Sequence, residues 1–191
     1  YVWRRHLLAA IGQRLNVEEE QGEQAVGFAD LSGFSRVSKK ATSHEITEII
    51  DRFETVAFDV VSAHEGRVVK LIGDEAMFVT RTLDDAVAIG VELIARLEPI
   101  EIMPAVHCGI AYGPTVTVGG DIFGPTVNLA SRLTDVARRG TIALPSDLAD
   151  QLTRGDDFDV RRVRRTYDLK GAGRTTILAI RPVGAAEPDG D

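Results

Sequence analysis

The feature that most constrains the fold of this chain is a pair of apolar runs joined by a short polar turn. The segment covers residues 68–79, and Gly73-Asp74 stands at its centre. Glycine at such a turn accepts a positive φ, so the pattern predicts a β-hairpin. Lys70 breaks the apolar pattern, and because an ammonium group is costly to bury, it must reach the strand edge or meet a specific partner. The hairpin therefore carries a cation on one strand and a carboxylate, Asp74, at its turn.

The segments on either side of the hairpin predict an α+β fold. A short apolar strand at residues 25–29 ends at Asp30, and an amphipathic helix begins at Ser43. After the hairpin come an alanine-rich helix at residues 83–97 and a strand at 104–112. This βαββαβ order is that of the ferredoxin-like, palm-type core.

The C-terminal part of the chain predicts additions to that core. Residues 116–118 are expected to return antiparallel to the fourth strand after Gly113-Pro114, and residues 126–137 form a third amphipathic helix. Extra C-terminal strands are expected near Ile142 and at residues 158–165 and 175–180.

Asp30 and Asp74 should be neighbours in this topology. A right-handed crossover makes the first two strands parallel, and the third strand lies between them, so the end of the first strand and the hairpin tip share one sheet edge. Two adjacent carboxylates repel each other unless a proton or a cation lies between them. Oxygen-only ligands point to Mg²⁺ or Mn²⁺, which at such pairs usually hold phosphates. The alternatives are a general acid/base pair, or helix caps at Asp30 or Ser32 without chemistry.

Composition and charge restrict the function classes. With 191 residues, 44% of them hydrophobic, the chain suits one globular domain. A net charge of −7 argues against nucleic acid or an anionic membrane as the main partner, and no apolar run approaches the roughly 20 residues of a membrane span. The single cysteine, Cys108, excludes an internal disulfide and favours a cytoplasmic location. The histidines show no metal-ligand spacing and are interpreted as solvated or structural; they are His6, His44, His64 and His107.

Three motifs together resemble the catalytic domain of class III nucleotide cyclases, most closely the mycobacterial adenylyl cyclases. They are residues 28–35 (FADLSGFS), 70–75 (KLIGDE) and 121–132 (DIFGPTVNLASR), and the resemblance covers residues 26–180. It implies that Asp30 and Asp74 hold two divalent cations, Mg²⁺ or Mn²⁺, on the triphosphate of the substrate. It also implies that Lys70 and Asp121 read the purine. An ammonium donor with a carboxylate acceptor suits adenine, whereas guanine inverts that edge, so the substrate is expected to be ATP.

The resemblance assigns three further residues. Asn128 would orient the ribose and Arg132 would stabilise the transition-state phosphate, and their spacing of four places them on one helix face. The alternative for Arg132 is a surface ion pair with Asp135, which would contribute little. Lys170 matches a lysine that contacts the triphosphate, although an exposed lysine in a Lys-Gly turn is common.

The resemblance implies an adenylyl cyclase that forms 3′,5′-cyclic AMP and pyrophosphate at the interface of a homodimer. Each site would take its metal aspartates from one subunit and its purine, ribose and transition-state residues from the other. The rival interpretations are a catalytically silent cyclase-like module and a diguanylate cyclase, whose expected turn is absent at residues 72–76.

The expected domain organisation has three parts. Residues 1–22 form an N-terminal helix and an acidic linker, residues 23–182 the cyclase catalytic domain, and residues 183–191 a disordered tail. The N-terminal helix either packs on its own domain or connects to an upstream regulatory element.

Overall fold

The computed structural model describes residues 20–170 and 172–185. The elements that form the core are, in chain order, β1 (Glu20–Leu31), α1 (Phe34–Val37), α2 (Ser43–Ala63), β2 (Arg67–Ile72), β3 (Glu75–Thr80), α3 (Leu83–Leu97) and β4 (Val106–Val118). They are followed by β5 (Asp121–Phe123), α4 (Pro125–Val136), β6 (Ile142–Pro145), short 3₁₀ helices at Ser146–Gln151 and Gly155–Asp157, β7 (Asp159–Leu169) and β8 (Gly173–Arg181). The predicted N-terminal helix and residues 186–191 of the predicted tail lie outside the described residues.

One eight-stranded sheet organises the domain. Its strand order is β2-β3-β1-β4-β6-β8-β7, and β5 pairs with β4 beside this path. β1 is antiparallel to β3 and β4, and β2 is antiparallel to β3, so β1 and β2 are parallel with β3 between them. This is the predicted βαββαβ arrangement with extra C-terminal strands, and the predicted fold class is confirmed.

The helices cover the two faces of the sheet unequally. α2 and α3 share one core cluster with the sheet, in which Phe53 and Leu93 are fully buried. A smaller cluster lies on the other face, where Leu133 of α4 packs with Phe28 and Met77. α4 approaches β4 closely because residue 109 is glycine; a Cβ there would stand 2.2 Å from the backbone nitrogen of Thr134. The small core thus fixes the position of α4 on the sheet.

Two strands differ from the prediction. β1 begins at Glu20 rather than at residue 25, and β4 is one strand, so the predicted reversal at Gly113-Pro114 is wrong. β4 pairs with β1 from Val106 to Thr117. The carbonyl oxygen of Pro114 points away from β1 and accepts a hydrogen bond from the Thr126 hydroxyl at 2.8 Å. In an antiparallel ladder the N–H and C=O of one residue point the same way, so the N–H that proline lacks would also point away from β1. Pro114 therefore costs the ladder no hydrogen bond. The chain reverses instead at Gly119-Gly120, where φ is 59° and 83°.

Within the described part of the chain, no helix has both the length and the apolar character of a membrane span.

Candidate active site

The structure brings Asp30 and Asp74 together at the edge where β1 ends and the β2–β3 hairpin turns. The backbone N–H of Leu31 donates to the carbonyl oxygen of Asp74 at 3.3 Å, and the two carboxyl groups are within hydrogen-bonding reach. Gly73 supplies the positive φ of the turn, 67°. Neither Asp30 nor Ser32 caps a helix, because the residue before α1 is Gly33 and no side chain caps it.

The electrostatics at this edge disfavour the ionised form of Asp30. Burial raises the pKa of Asp30 to about 7, and repulsion from Asp74 and Glu75 adds to the effect. Glu75 is the register partner of Asp30 in the β1–β3 ladder. Its own pKa is raised by burial and then by the charges of Asp135 and Asp74. This edge therefore brings together carboxyl groups that repel one another when they are ionised.

His107 belongs to the same site, although no pattern in the sequence predicts it there. It is the β4 register partner of Asp30, and its Nε2 lies 3.4 Å from Oδ2 of Asp30. Its Nδ1 is buried and has no hydrogen-bond partner among the described residues. Burial lowers the pKa of His107, helped by Arg139 and opposed by Asp135 and Asp74. We refer to Asp30, Asp74, Glu75 and His107 as the carboxylate cluster.

The carboxylate cluster fits a divalent cation. Repulsion between Asp30 and its neighbours would be relieved by a cation held between Asp30 and Asp74, and carboxylate oxygens are the ligands that Mg²⁺ and Mn²⁺ prefer. Among the described residues, no three His, Cys, Asp or Glu side chains form a complete metal site. This agrees with the way Mg²⁺ is usually bound, through one or two carboxylates plus substrate phosphates.

Lys70 and Asp121 form a second charged group. Nζ of Lys70 donates to both carboxylate oxygens of Asp121, at 2.9 and 3.0 Å, and each side chain is 38% exposed. The backbone N–H of Ile122 also donates to Asp121, at 2.8 Å. The lysine that breaks the apolar pattern of β2 thus has a specific partner 51 residues away. The pair offers donors and acceptors side by side at the surface of the sheet.

Asn128 and Arg132 lie one turn apart on α4, on the side of the helix away from the buried positions Ala130 and Leu133. Asn128 is exposed and Arg132 is half-buried, and neither side chain makes a hydrogen bond or ion pair with the described residues. The alternative Arg132–Asp135 surface pair is not present in this part of the chain. Lys170 is exposed in the β7–β8 turn and likewise has no such contact within the described ranges.

The sequence of this chain matches a known protein family along most of its length. The sequence profile of the adenylate and guanylate cyclase catalytic domain matches residues 17–181. The chain belongs to this family of cyclase domains. The predicted family membership is therefore confirmed.

Individual relatives and a solved structure agree with the assignment. The chain is 40% identical over 161 residues to an adenylate cyclase of Streptomyces coelicolor, covering 82% of this chain and 42% of the relative. It is 30% identical over 134 residues to a pH-sensitive adenylate cyclase of Mycobacterium tuberculosis, covering 70% and 34%. The catalytic core of a rhodopsin-guanylyl cyclase with converted specificity, in complex with ATPαS, superposes with a TM-score of 0.77 at 21% identity, covering 86% of this chain and 98% of that one. The cyclase domain described here thus spans less than half the length of these two relatives.

Proposed function

We propose that this cyclase domain converts ATP to 3′,5′-cyclic AMP and pyrophosphate. The observation that carries the proposal is the Lys70–Asp121 pair, in which an ammonium donor and a carboxylate acceptor lie together. Adenine offers an acceptor at N1 and a donor at its exocyclic amine, so the pair matches it, whereas guanine presents the opposite pattern. The relatives named adenylate cyclase support the same substrate.

The reaction is an internal phosphoryl transfer. The ribose 3′ oxygen forms a bond to the α-phosphorus, the bond between that phosphorus and the bridging oxygen to the β-phosphate breaks, and pyrophosphate leaves while the 3′ proton passes to solvent. Asp30 and Asp74 would hold two divalent cations, Mg²⁺ or Mn²⁺, which fits the uncompensated negative charge of the carboxylate cluster. When bound, such ions lower the pKa of the 3′ hydroxyl and neutralise charge on the departing pyrophosphate.

The α4 residues are assigned to the ribose and the transition state. Asn128 would donate to and accept from the ribose, and Arg132 would donate to the α-phosphate oxygens, where negative charge develops. Their positions on one helix face and their lack of partners within the described residues support these roles. Lys170, exposed in its turn, would contact the triphosphate.

A homodimer is proposed to complete each site. Asp30 and Asp74 of one subunit would face Lys70, Asp121 and the α4 residues of the other, through an isologous twofold interface. Exposed apolar side chains near these groups support an interface: Ile72 at the end of β2 is 50% exposed and Phe123 in β5 is 51% exposed. The activity is proposed to take place in the cytoplasm, and an upstream regulatory element stays a prediction.

An assay of the purified chain tests the proposal. With Mn²⁺ and ATP it should form cyclic AMP, with little product from GTP. Absence of product, in a sample shown to be dimeric by native mass spectrometry, would contradict the enzymatic function and support a catalytically silent module.

Mixed subunits test the shared site. Asp30→Ala and Arg132→Ala should each be inactive alone, because each removes a group from both sites of its homodimer. Mixing them should restore about a quarter to a half of the wild-type activity, since one of the two sites in a mixed dimer keeps both groups. No recovery, with mixed dimers detected by native mass spectrometry, would rule out the shared geometry.

A further inference from the structure

Two arginine side chains converge on the loop that follows β1. Arg36 lies in α1, and Arg139 lies between α4 and β6. Nε of Arg139 donates to the Ser32 hydroxyl at 3.0 Å. The Nη2 atoms of Arg36 and Arg139 lie 3.4 and 3.6 Å from the point where a Cβ on Gly33 would stand. Both guanidinium groups therefore reach the same small region beside the loop.

Neither guanidinium group is neutralised by a carboxylate of the described chain. The ion pairs of the described residues involve other arginines, and Arg139 bonds to a neutral hydroxyl. Both side chains are exposed, so solvent screens their mutual repulsion. The two guanidinium groups are therefore free of a carboxylate partner among the described residues and can donate to an anion that approaches from solvent.

The loop carries no side chain at Gly33, the residue that both arginines reach. Gly33 has a φ of 73°, a conformation that side chains rarely adopt, and a Cβ there would point into the region that the two arginines reach. The backbone N–H of Ser32 donates to the carbonyl oxygen of Ala105 at 2.8 Å, which ties the loop to the segment before β4. The loop is therefore tied to the rest of the fold, and the two arginines beside it are exposed to solvent.

The position of this region identifies the anion. It lies next to Asp30, the end of β1, and Arg139 is close enough to His107 to lower the pKa of that histidine. The carboxylate cluster repels an anion at this point unless metal ions are bound to it, so the position favours an anion that binds metal ions and guanidinium groups together. Guanidinium forks bind phosphate oxygens with two parallel hydrogen bonds.

We propose that Arg36 and Arg139 bind the two terminal phosphates of the triphosphate, and hence the pyrophosphate product, on the subunit that supplies Asp30 and Asp74. The assignment rests on the proposed cyclase reaction for the identity of the nucleotide. It adds two binding residues that the sequence motifs did not indicate, since both arginines lie outside the groups matched to the family.

Binding of inorganic pyrophosphate to the full chain in the presence of Mg²⁺, measured by calorimetry, tests the proposal. Arg36→Gln and Arg139→Gln should each weaken the affinity about 5- to 10-fold, because each removes charge-assisted hydrogen bonds from a partly solvated site. Arg139→Lys should recover part of the loss, since it keeps the charge without the fork. The matched control is Arg138→Gln, whose native side chain lines the cavity between α4 and β7 instead, and its affinity should stay within about twofold of wild type.

A truncated nucleotide separates phosphate binding from general damage to the loop. Adenosine monophosphate lacks the two terminal phosphates, so its affinity should be the same in wild type, Arg36→Gln and Arg139→Gln, while the KM for ATP rises. Equal losses for the monophosphate and for pyrophosphate would assign the arginines a structural role and overturn the proposal. A cooperative thermal unfolding transition, with a Tm close to that of wild type, is the check that each variant is folded.

The two measurements, cyclic AMP formation and pyrophosphate affinity, distinguish a failure of the proposed phosphate site from a failure of the proposed cyclase reaction. Cyclic AMP formation with unchanged pyrophosphate affinity in both variants would overturn the phosphate site and leave the reaction. No cyclic AMP, but reduced pyrophosphate affinity in Arg139→Gln, would support the phosphate site and overturn the reaction.

Discussion

The carboxylate cluster and the Lys70–Asp121 pair are both charged, but the first brings like charges together and the second brings opposite charges together. The cluster gathers like charges, and burial together with Asp74 and Glu75 raises the pKa of Asp30 to about 7. The pair joins opposite charges at 2.9 Å, and each side chain is 38% exposed. The cluster is therefore incomplete without a cation, whereas the pair is satisfied and can bind a ligand through its remaining donors and acceptors.

The two regions should also differ in what they contribute to folding. Uncompensated charge costs stability in the absence of metal, which is common where a site is shaped for a ligand. An exposed ion pair contributes about 0–1 kcal/mol. Substitutions in the two regions should therefore change activity in the same direction and stability in different directions.

The largest effect is expected from the pair, on nucleotide selectivity. Asp121→Ala removes the acceptor for the adenine amine, so kcat/KM for ATP should fall about 10- to 100-fold while the low activity on GTP changes little. Unfolding free energy should change by no more than about 1 kcal/mol. The control is Asp51→Ala, an exposed carboxylate on α2. Parallel losses with ATP and GTP would show that Asp121 does not select the base.

The same comparison shows what the sequence could and could not predict. The meeting of Asp30 and Asp74 followed from the order of strands alone, because a right-handed crossover leaves few alternatives. The partnership of Lys70 with Asp121 came from the family resemblance, since the two residues lie on strands that are far apart in sequence and no local pattern relates them.

His107 could not be predicted for a different reason. Its contact with Asp30 depends on the register of β1 with β4, and a one-residue shift in that register would turn the side chain to the other face. The sequence-based prediction also made β4 too short, because it ended the strand at Gly113-Pro114. Proline is excluded from a strand only where its missing N–H would face a neighbouring strand, and at Pro114 no strand of the described chain lies on the side away from β1. The full length of β4 becomes evident only when β1 is known to begin at Glu20.

A smaller effect is expected from the cluster, on stability as a function of pH. The pKa of Asp30 rises from 3.8 to about 7 on folding, so the folded chain binds the proton more tightly than the unfolded chain. The contribution of Asp30 to stability therefore falls as the pH rises from about 4 to 7 and stays low above that. Allowing for its partial exposure, Asp30→Asn should be more stable than wild type by about 1–2 kcal/mol at pH 8 and nearly equal to it at pH 4.

Urea unfolding of the two proteins at both pH values, without metal, measures this difference, because titrating groups that do not interact with Asp30 cancel in the comparison. Adding Mn²⁺ should stabilise wild type and have little effect on Asp30→Asn. A difference that does not depend on pH would assign the gain to packing rather than to charge.

The smallest effect is expected at the contact that connects the β2 strand to the turn before Asp121. Nη1 of Arg67 donates to the carbonyl oxygen of Gly120 at 3.0 Å, and both glycines of that turn have positive φ with nothing within 4 Å of a built Cβ. The turn therefore has few side-chain contacts to hold it, and the orientation of Asp121 depends partly on Arg67.

Because an exposed hydrogen bond contributes about 0.5–1.5 kcal/mol, Arg67→Gln should reduce the ATP-to-GTP selectivity about 2- to 5-fold with little change in Tm. Arg81→Gln is the matched control, since Arg81 lines the same cleft and makes no hydrogen bond to the turn within the described residues. An equal loss of selectivity in both variants would attribute the effect to the positive charge of the cleft, whereas a loss confined to Arg67→Gln would show that the selectivity of the pair depends on the strand beside it.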